Sequence, residues 1–195
     1  QIDKLVLPDG YYVEVGGQNE QINDSFKSLA MALILSIFLI YMVMAAQFES
    51  FIQPFIIMFS VPLAFSGAAF GLGLTGRTFN VASFIGLIML SGIVVNNAII
   101  LIDYINHIRK EGVNKLEAVI KAGPIRLKPI LMTTLTTVLG MLPLALGIGE
   151  GAELQAPLAT VVIFGLSMST LLTLFIVPIV YVLFDDFMDK FRKKI

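Results

Sequence analysis

The stretch Asn80–Ile108 reads NVASFIGLIMLSGIVVNNAIILIDYINHI, and nearly every residue before Asp103 is apolar or small. At about 1.5 Å of rise per residue, that part alone can cross a bilayer core of roughly 30 Å as a helix. Its middle breaks the apolar rule twice, at Asn96 and Asn97. Polar side chains at membrane depth are rare and face protein or a wet cavity, so they are functional candidates by default. Four further hydrophobic segments surround this one, and the sequence predicts a bundle packed around the asparagine pair.

Composition agrees with a membrane setting. Hydrophobic residues make up 57% of the chain, charged residues 14%, and the mean hydropathy is +0.89. A soluble domain of this size would carry about 25% charge. The net charge of −1 says little, because the charges are segregated into loops. Cysteine is absent and histidine occurs once, at His107, which excludes thiolate metal sites and most histidine chemistry. No H-E-x-x-H, phosphate-cradling loop or Ser/His/Asp set occurs, so the sequence predicts neither an enzyme nor a bound cofactor or metal. Nothing points to nucleic acid; the expected partner surface is the lipid bilayer. The opening reads as the end of a soluble region, which predicts a piece of a longer protein whose C-terminus is present.

From Gln1 to Gly17 the chain behaves like soluble protein, a disordered leader being the alternative. Pro8-Asp9-Gly10 signals a turn, Tyr11–Val15 alternates like a half-buried strand, and Asn19–Lys27 reads as a polar helix leading into the membrane. Five spans are predicted at approximately 28–46, 55–74, 81–108, 125–146 and 158–184, with a charged tail at 185–195. Gln47–Pro54 suits a brief interfacial helix. Pro62 should kink the second span. Gly67 and Gly71 form a G-x-x-x-G face for close helix contact. Asn80 is placed to cap the central helix. Asn114–Ala122 reads as a short amphipathic helix that Gly123-Pro124 ends, and Gly147–Gly151 as a loop.

Basic residues cluster between the third and fourth spans (Arg109, Lys110, Lys115, Lys121, Arg126, Lys128) and in the tail (Lys190, Arg192, Lys193, Lys194). With positive loops inside, the C-terminus is cytoplasmic and the N-terminal segment extracytoplasmic. Within the spans, small and polar residues form stripes. Gly92, Asn96, Ile100 and Asp103 share a face, with Asn97 about 100° round from Asn96. Arg126, Thr133, Thr137 and Gly140 align on the fourth span, flanked by Thr134 and Thr136. Gly165, Ser169 and Thr173 align on the fifth. Such stripes are expected to face one another. They serve either as interhelical hydrogen-bonding contacts or as a path for ions, and Arg126 either enters such a path or snorkels to the headgroups.

Three segments carry a resemblance to a known family. MAAQFESFIQPFIIMFSVPLA (44–64), GIVVNNAIILIDYIN (92–106) and RLKPILMTTLTTVLGMLPLAL (126–146) resemble the resistance-nodulation-division efflux transporters, most of all the branch that exports hydrophobic and amphiphilic compounds. The resemblance spans essentially the whole chain. It implies an all-α membrane fold, spans eight to twelve of twelve, with residues 1–27 ending the periplasmic porter region. It also implies proton-driven multidrug export as a homotrimer in the inner membrane. In a double-membraned cell a periplasmic adaptor and an outer-membrane channel would join it. Proton-carrying aspartates would lie in the other half of the protein. By the resemblance Asn96 stands where well-studied pumps have a lysine, Asn97 matches the asparagine after it, and Arg126 and Thr133 match relay residues of the eleventh helix. An asparagine donates hydrogen bonds but cannot lower a carboxylate pKa by charge, so Arg126 is expected to supply the positive charge. A lipid-handling or protein-export relative, or a membrane scaffold, is the alternative. A metal exporter is less expected, since no Met or acidic ladder lines one face.

Overall fold

The computed structural model describes residues 17–192. Every regular element among them is an α-helix: α1 Gln18–Phe48, α2 Ile52–Met58, α3 Ser60–Thr75, α4 Val81–Lys110, α5 Lys115–Ala145 and α6 Ala152–Arg192. Among the described residues five stretches are long and apolar enough to cross a membrane, with α2 and α3 forming one of them end to end as Ile52–Thr75. The predicted turn at Pro8–Gly10 and strand at Tyr11–Val15 lie outside the described residues.

The helices run past the predicted spans because apolar content marks only what can sit in hydrocarbon, while backbone pairing continues into polar ends. Residues 185–192, predicted as part of a separate tail, are the last turns of α6. The fourth span differs most. No short helix stops at Gly123-Pro124: α5 runs unbroken from Lys115 to Ala145 with Pro124, Pro129 and Pro143 inside it. Each proline removes one backbone donor. The helix persists because Ala118, Ala122 and Ile130 are buried in one core cluster with Val177 and Tyr181 of α6.

The interfacial helix expected over Gln47–Pro54 is likewise replaced by a tight turn. α1 ends with Glu49 in the left-handed region at φ 48°, a position that favours glycine or asparagine. The Tyr41 hydroxyl donates to the Phe51 carbonyl at 2.9 Å and secures the turn. The break between α2 and α3 falls at Phe59, one residue after Met58, whose carbonyl the ring nitrogen of Pro62 cannot serve. Side chains add hydrogen bonds to neighbouring carbonyls around the break. Ser60 Oγ donates to the Ile57 carbonyl at 2.7 Å, and Ser169 Oγ of α6 donates to the Ser60 carbonyl at 3.3 Å.

The bundle is assembled on α6, which packs along α3, α4 and α5, rather than around the asparagine pair. Small residues permit the approach of α3 and α6. A Cβ on Gly67 would lie 2.5 Å from Met168 Cβ, and one on Gly71 would lie 2.4 Å from Phe164 Cβ. A Cβ on Gly165 would lie 2.3 Å from a Leu90 methyl of α4. α4 contributes a fully buried stripe of Leu90, Val94, Ala98, Leu101, Ile102 and Ile105. By contrast α1 leaves Met31, Ile34 and Val43 exposed, a surface that suits lipid or further helices.

Candidate functional site

The start of α4 is fixed by a reciprocal cap. Asn80 Oδ1 accepts from the Ser83 amide at 2.9 Å, and Ser83 Oγ accepts from the Asn80 amide at 2.7 Å. From that fixed end α4 runs antiparallel to α5, and two polar rungs cross the seam between them. In the first, Thr133 Oγ1 approaches Asn97 Oδ1 at 3.4 Å. Thr133 has one hydroxyl proton and directs it mainly to the Ile130 carbonyl at 2.9 Å, so this rung is a weak contact. In the second, the Arg126 guanidinium lies over the Tyr104 ring, 4.2 Å from its centroid.

The rungs share one register. Asn97 to Tyr104 is a step of seven residues along α4, and Arg126 to Thr133 the same step along α5 in the opposite direction. Two helical turns, about 10 Å, separate them. Asn97 is buried at 4% exposure, whereas Asn96 is exposed and points away from the seam. Arg126 is half-buried, and its Nε is buried with no hydrogen-bond acceptor among the described residues. A cavity of about 270 Å³ lies beside it, lined by Asp103, Tyr104, Asn106, His107, Lys110 and Arg126. Asp103 and Arg126 share this cavity without forming an ion pair. Among the described residues no group of three His, Cys, Asp or Glu side chains could hold a metal.

The other predicted positions divide between the interior and the open face. Gly67, Gly71, Gly165 and Ser169 are buried between α3 and α6. A Cβ added to Gly92 or to Gly140 would meet nothing within 4 Å among the described residues, and Thr137 bonds its own helix at the Thr133 carbonyl. The three stripes therefore do not all face one another. That of α6 serves α3, with Ser169 also 3.3 Å from Thr173. The contact from α5 to α6 is made by Thr134, whose hydroxyl lies 2.9 Å from that of Thr170.

Three features escape a reading of the sequence alone. Tyr104 gives no sign of its role there, although it stands seven residues from Asn97, the interval that separates Arg126 from Thr133. At the end of the bundle that carries the α4–α5 turn, a network joins four elements. Asn106 Nδ2 donates to Gln53 at 2.9 Å, the Tyr181 hydroxyl donates to Asn106 at 2.8 Å, and Arg109 donates to Tyr181 at 2.7 Å. Arg109 also pairs with Asp185 at 3.1 Å, and Lys115 pairs with Asp185 at 3.4 Å and with Asp186. At the opposite end Arg77 donates to the Ala156 carbonyl at 2.9 Å and the Ala145 carbonyl at 2.5 Å, tying the end of α5 to the start of α6. Neither grouping is visible as a local motif, since the bonded partners lie more than 50 residues apart.

Residues 1–185 match the model of a family described as the AcrB/AcrD/AcrF family. The swarming motility protein SwrC of Bacillus subtilis (strain 168) is 45% identical over 195 residues, which is 100% of this chain and 18% of that protein. The multidrug resistance protein MdtC of Erwinia tasmaniensis is 42% identical over 176 residues, 90% of this chain and 16% of its own length. A crystal structure of a heavy metal efflux pump superposes with a TM-score of 0.82 at 38% identity, covering 94% of this chain and 18% of the pump. The chain thus spans less than a fifth of each of these relatives.

Proposed function

The chain belongs to the AcrB/AcrD/AcrF family of resistance-nodulation-division transporters, a multi-pass membrane family, and on that premise we propose that it is a proton-coupling membrane portion of an exporter of hydrophobic and amphiphilic compounds. The observation that carries this reading is the half-buried arginine at the α4–α5 seam. Arg126 lines an open cavity, and its Nε is buried and unsatisfied among the described residues. A buried donor left unpaired costs about 1–3 kcal/mol, more for a charged group. The part of the guanidinium that lines the cavity can meet carboxylates supplied by another part of the transporter. Protonation of those carboxylates would release Arg126, and the resulting change in helix packing would be transmitted to the extracytoplasmic region. Asn97 and Thr133 are the neutral hydrogen-bonding members of the same site; Asn96, on the open face, would meet the same partners directly.

In this reading residues 1–27 end the extracytoplasmic porter region, residues 28–184 form five spans of a twelve-helix bundle, and 185–195 lie on the cytoplasmic side of the cell's inner membrane. The assembled protein would be a homotrimer, joined in a double-membraned cell by an adaptor and an outer-membrane channel. Cargo would be selected mainly outside this chain. A second cargo reading, metal export, is favoured by the 38% identity to a heavy metal efflux pump; the named multidrug relative is similar to this chain at a comparable level. The deciding experiment is transport by the full-length protein in energised vesicles, with ethidium and with zinc or copper ions as separate cargos. Ethidium efflux abolished by a protonophore is expected; proton-driven metal efflux without dye efflux would shift the cargo, and dye efflux indifferent to the proton gradient would remove the coupling.

A further inference from the structure

We propose that Tyr104 is a positioning residue for Arg126: its ring face holds the guanidinium at the α4–α5 seam without neutralising it. The inference rests on the proton-coupling reading for its purpose but on geometry for the contact. An arginine within about 6 Å of a tyrosine centroid is attracted by the ring quadrupole. Here the distance is 4.2 Å, well inside that range. Both side chains are half-buried, so the attraction is less screened than at a fully wet surface.

The choice of partner matters. The groups facing Arg126 across the cavity are Asp103, Tyr104, Asn106, His107 and Lys110, all from α4. Asp103 is near enough to line the same cavity yet makes no ion pair with Arg126. A carboxylate held against the guanidinium would cancel its charge and occupy its donors. An aromatic face does neither: it attracts the cation without neutralising it and without accepting from its N–H donors in the manner of a carboxylate. Nε is buried without an acceptor among the described residues, so a partner from outside this chain would be met by the terminal amino groups instead. Without the ring, a long, flexible side chain loses the aromatic contact that opposes its swinging toward water at the membrane boundary.

The test uses the full-length transporter in proteoliposomes, with ethidium as cargo. Tyr104→Leu should lower proton-driven efflux about tenfold, the loss of on the order of one desolvated cation–π contact. Tyr104→Phe, which keeps the ring face, should restore efflux to within about twofold of wild type. Gradient-free exchange of labelled for unlabelled ethidium separates positioning from general damage: it should persist in Tyr104→Leu, whereas a merely structural defect would lower both. If Tyr104→Leu does not yield folded protein, Tyr104→Met, unbranched and without a ring, takes its place. A thermal double-mutant cycle with Arg126→Leu reports the contact independently of transport, and the two effects should be non-additive. Efflux unchanged in Tyr104→Leu, equal loss in the Phe and Leu variants, or additive effects in the cycle would each overturn the proposal. Wild-type efflux that ignores the proton gradient would instead sink the coupling reading, with the cycle still deciding the contact.

Discussion

Replacing Gly71 by alanine should separate α3 from α6. A Cβ at this position would lie 2.4 Å from both Cβ and Cγ of Phe164. Carbon atoms settle at roughly 3.5–4.0 Å, so more than about 1 Å must be found. Rotating the Phe164 ring cannot supply it, because its Cβ is bonded directly to the α6 backbone. The helices must therefore part locally, and a gap of 0.5–1 Å forfeits about a quarter to a half of the dispersion attraction across it. Overpacking of this kind costs about 1–3 kcal/mol. The better helix propensity of alanine returns on the order of 0.5–1 kcal/mol, leaving a net loss of about 0–2.5 kcal/mol. Gly73→Ala is the internal reference, since a Cβ there meets nothing within 4 Å among the described residues. Unfolding of the full-length transporter by SDS titration, followed by far-ultraviolet circular dichroism, would compare the two. Gly71→Ala as stable as Gly73→Ala would refute the packing argument.

Further predictions address the other contacts. Arg77→Ala removes donors from the Ala145 and Ala156 carbonyls, and should destabilise the transporter by about 1–3 kcal/mol; proteolysis within residues 147–151 should quicken. Asp185→Asn weakens pairing with Arg109 and Lys115, groups that are partly solvated, so the loss should be under about 1 kcal/mol and shrink as salt is raised, measured by thermal unfolding at two ionic strengths. Thr134→Val and Thr170→Val, which break one inter-helix hydroxyl contact, should show a coupling of about 0.6 kcal/mol in a double-mutant cycle, the scale found for such bonds in membranes.

The apolar runs made the helices legible because hydrocarbon compatibility is a property of composition. The capping of α4 was legible for a related reason: Asn80 and Ser83 are local partners, three residues apart. Gly67 and Gly71 announced a close contact without naming its partner, which only the fold shows to be Met168 and Phe164. The prolines of α5 misled. In an isolated helix Gly123-Pro124 would end the element, but burial of Ala118, Ala122 and Ile130 in the bundle core outweighs the lost donor. The stripes misled differently, since periodicity gives a shared face but not the direction it takes in the bundle. Thr133 and Thr134 are adjacent, yet one turns to Asn97 and the other to Thr170. Asn96 and Asn97 part in the same way, one exposed and one buried. Tyr104 carried its signal in a register that only an antiparallel pairing of α4 with α5 reveals.

The most direct test of proton coupling through this seam is ethidium efflux by full-length Arg126→Ala protein in vesicles carrying a proton gradient, alongside wild type with and without a protonophore. The account predicts that the variant falls to the protonophore-treated level of wild type while still exchanging dye without a gradient. Wild-type, gradient-driven efflux from Arg126→Ala would contradict it.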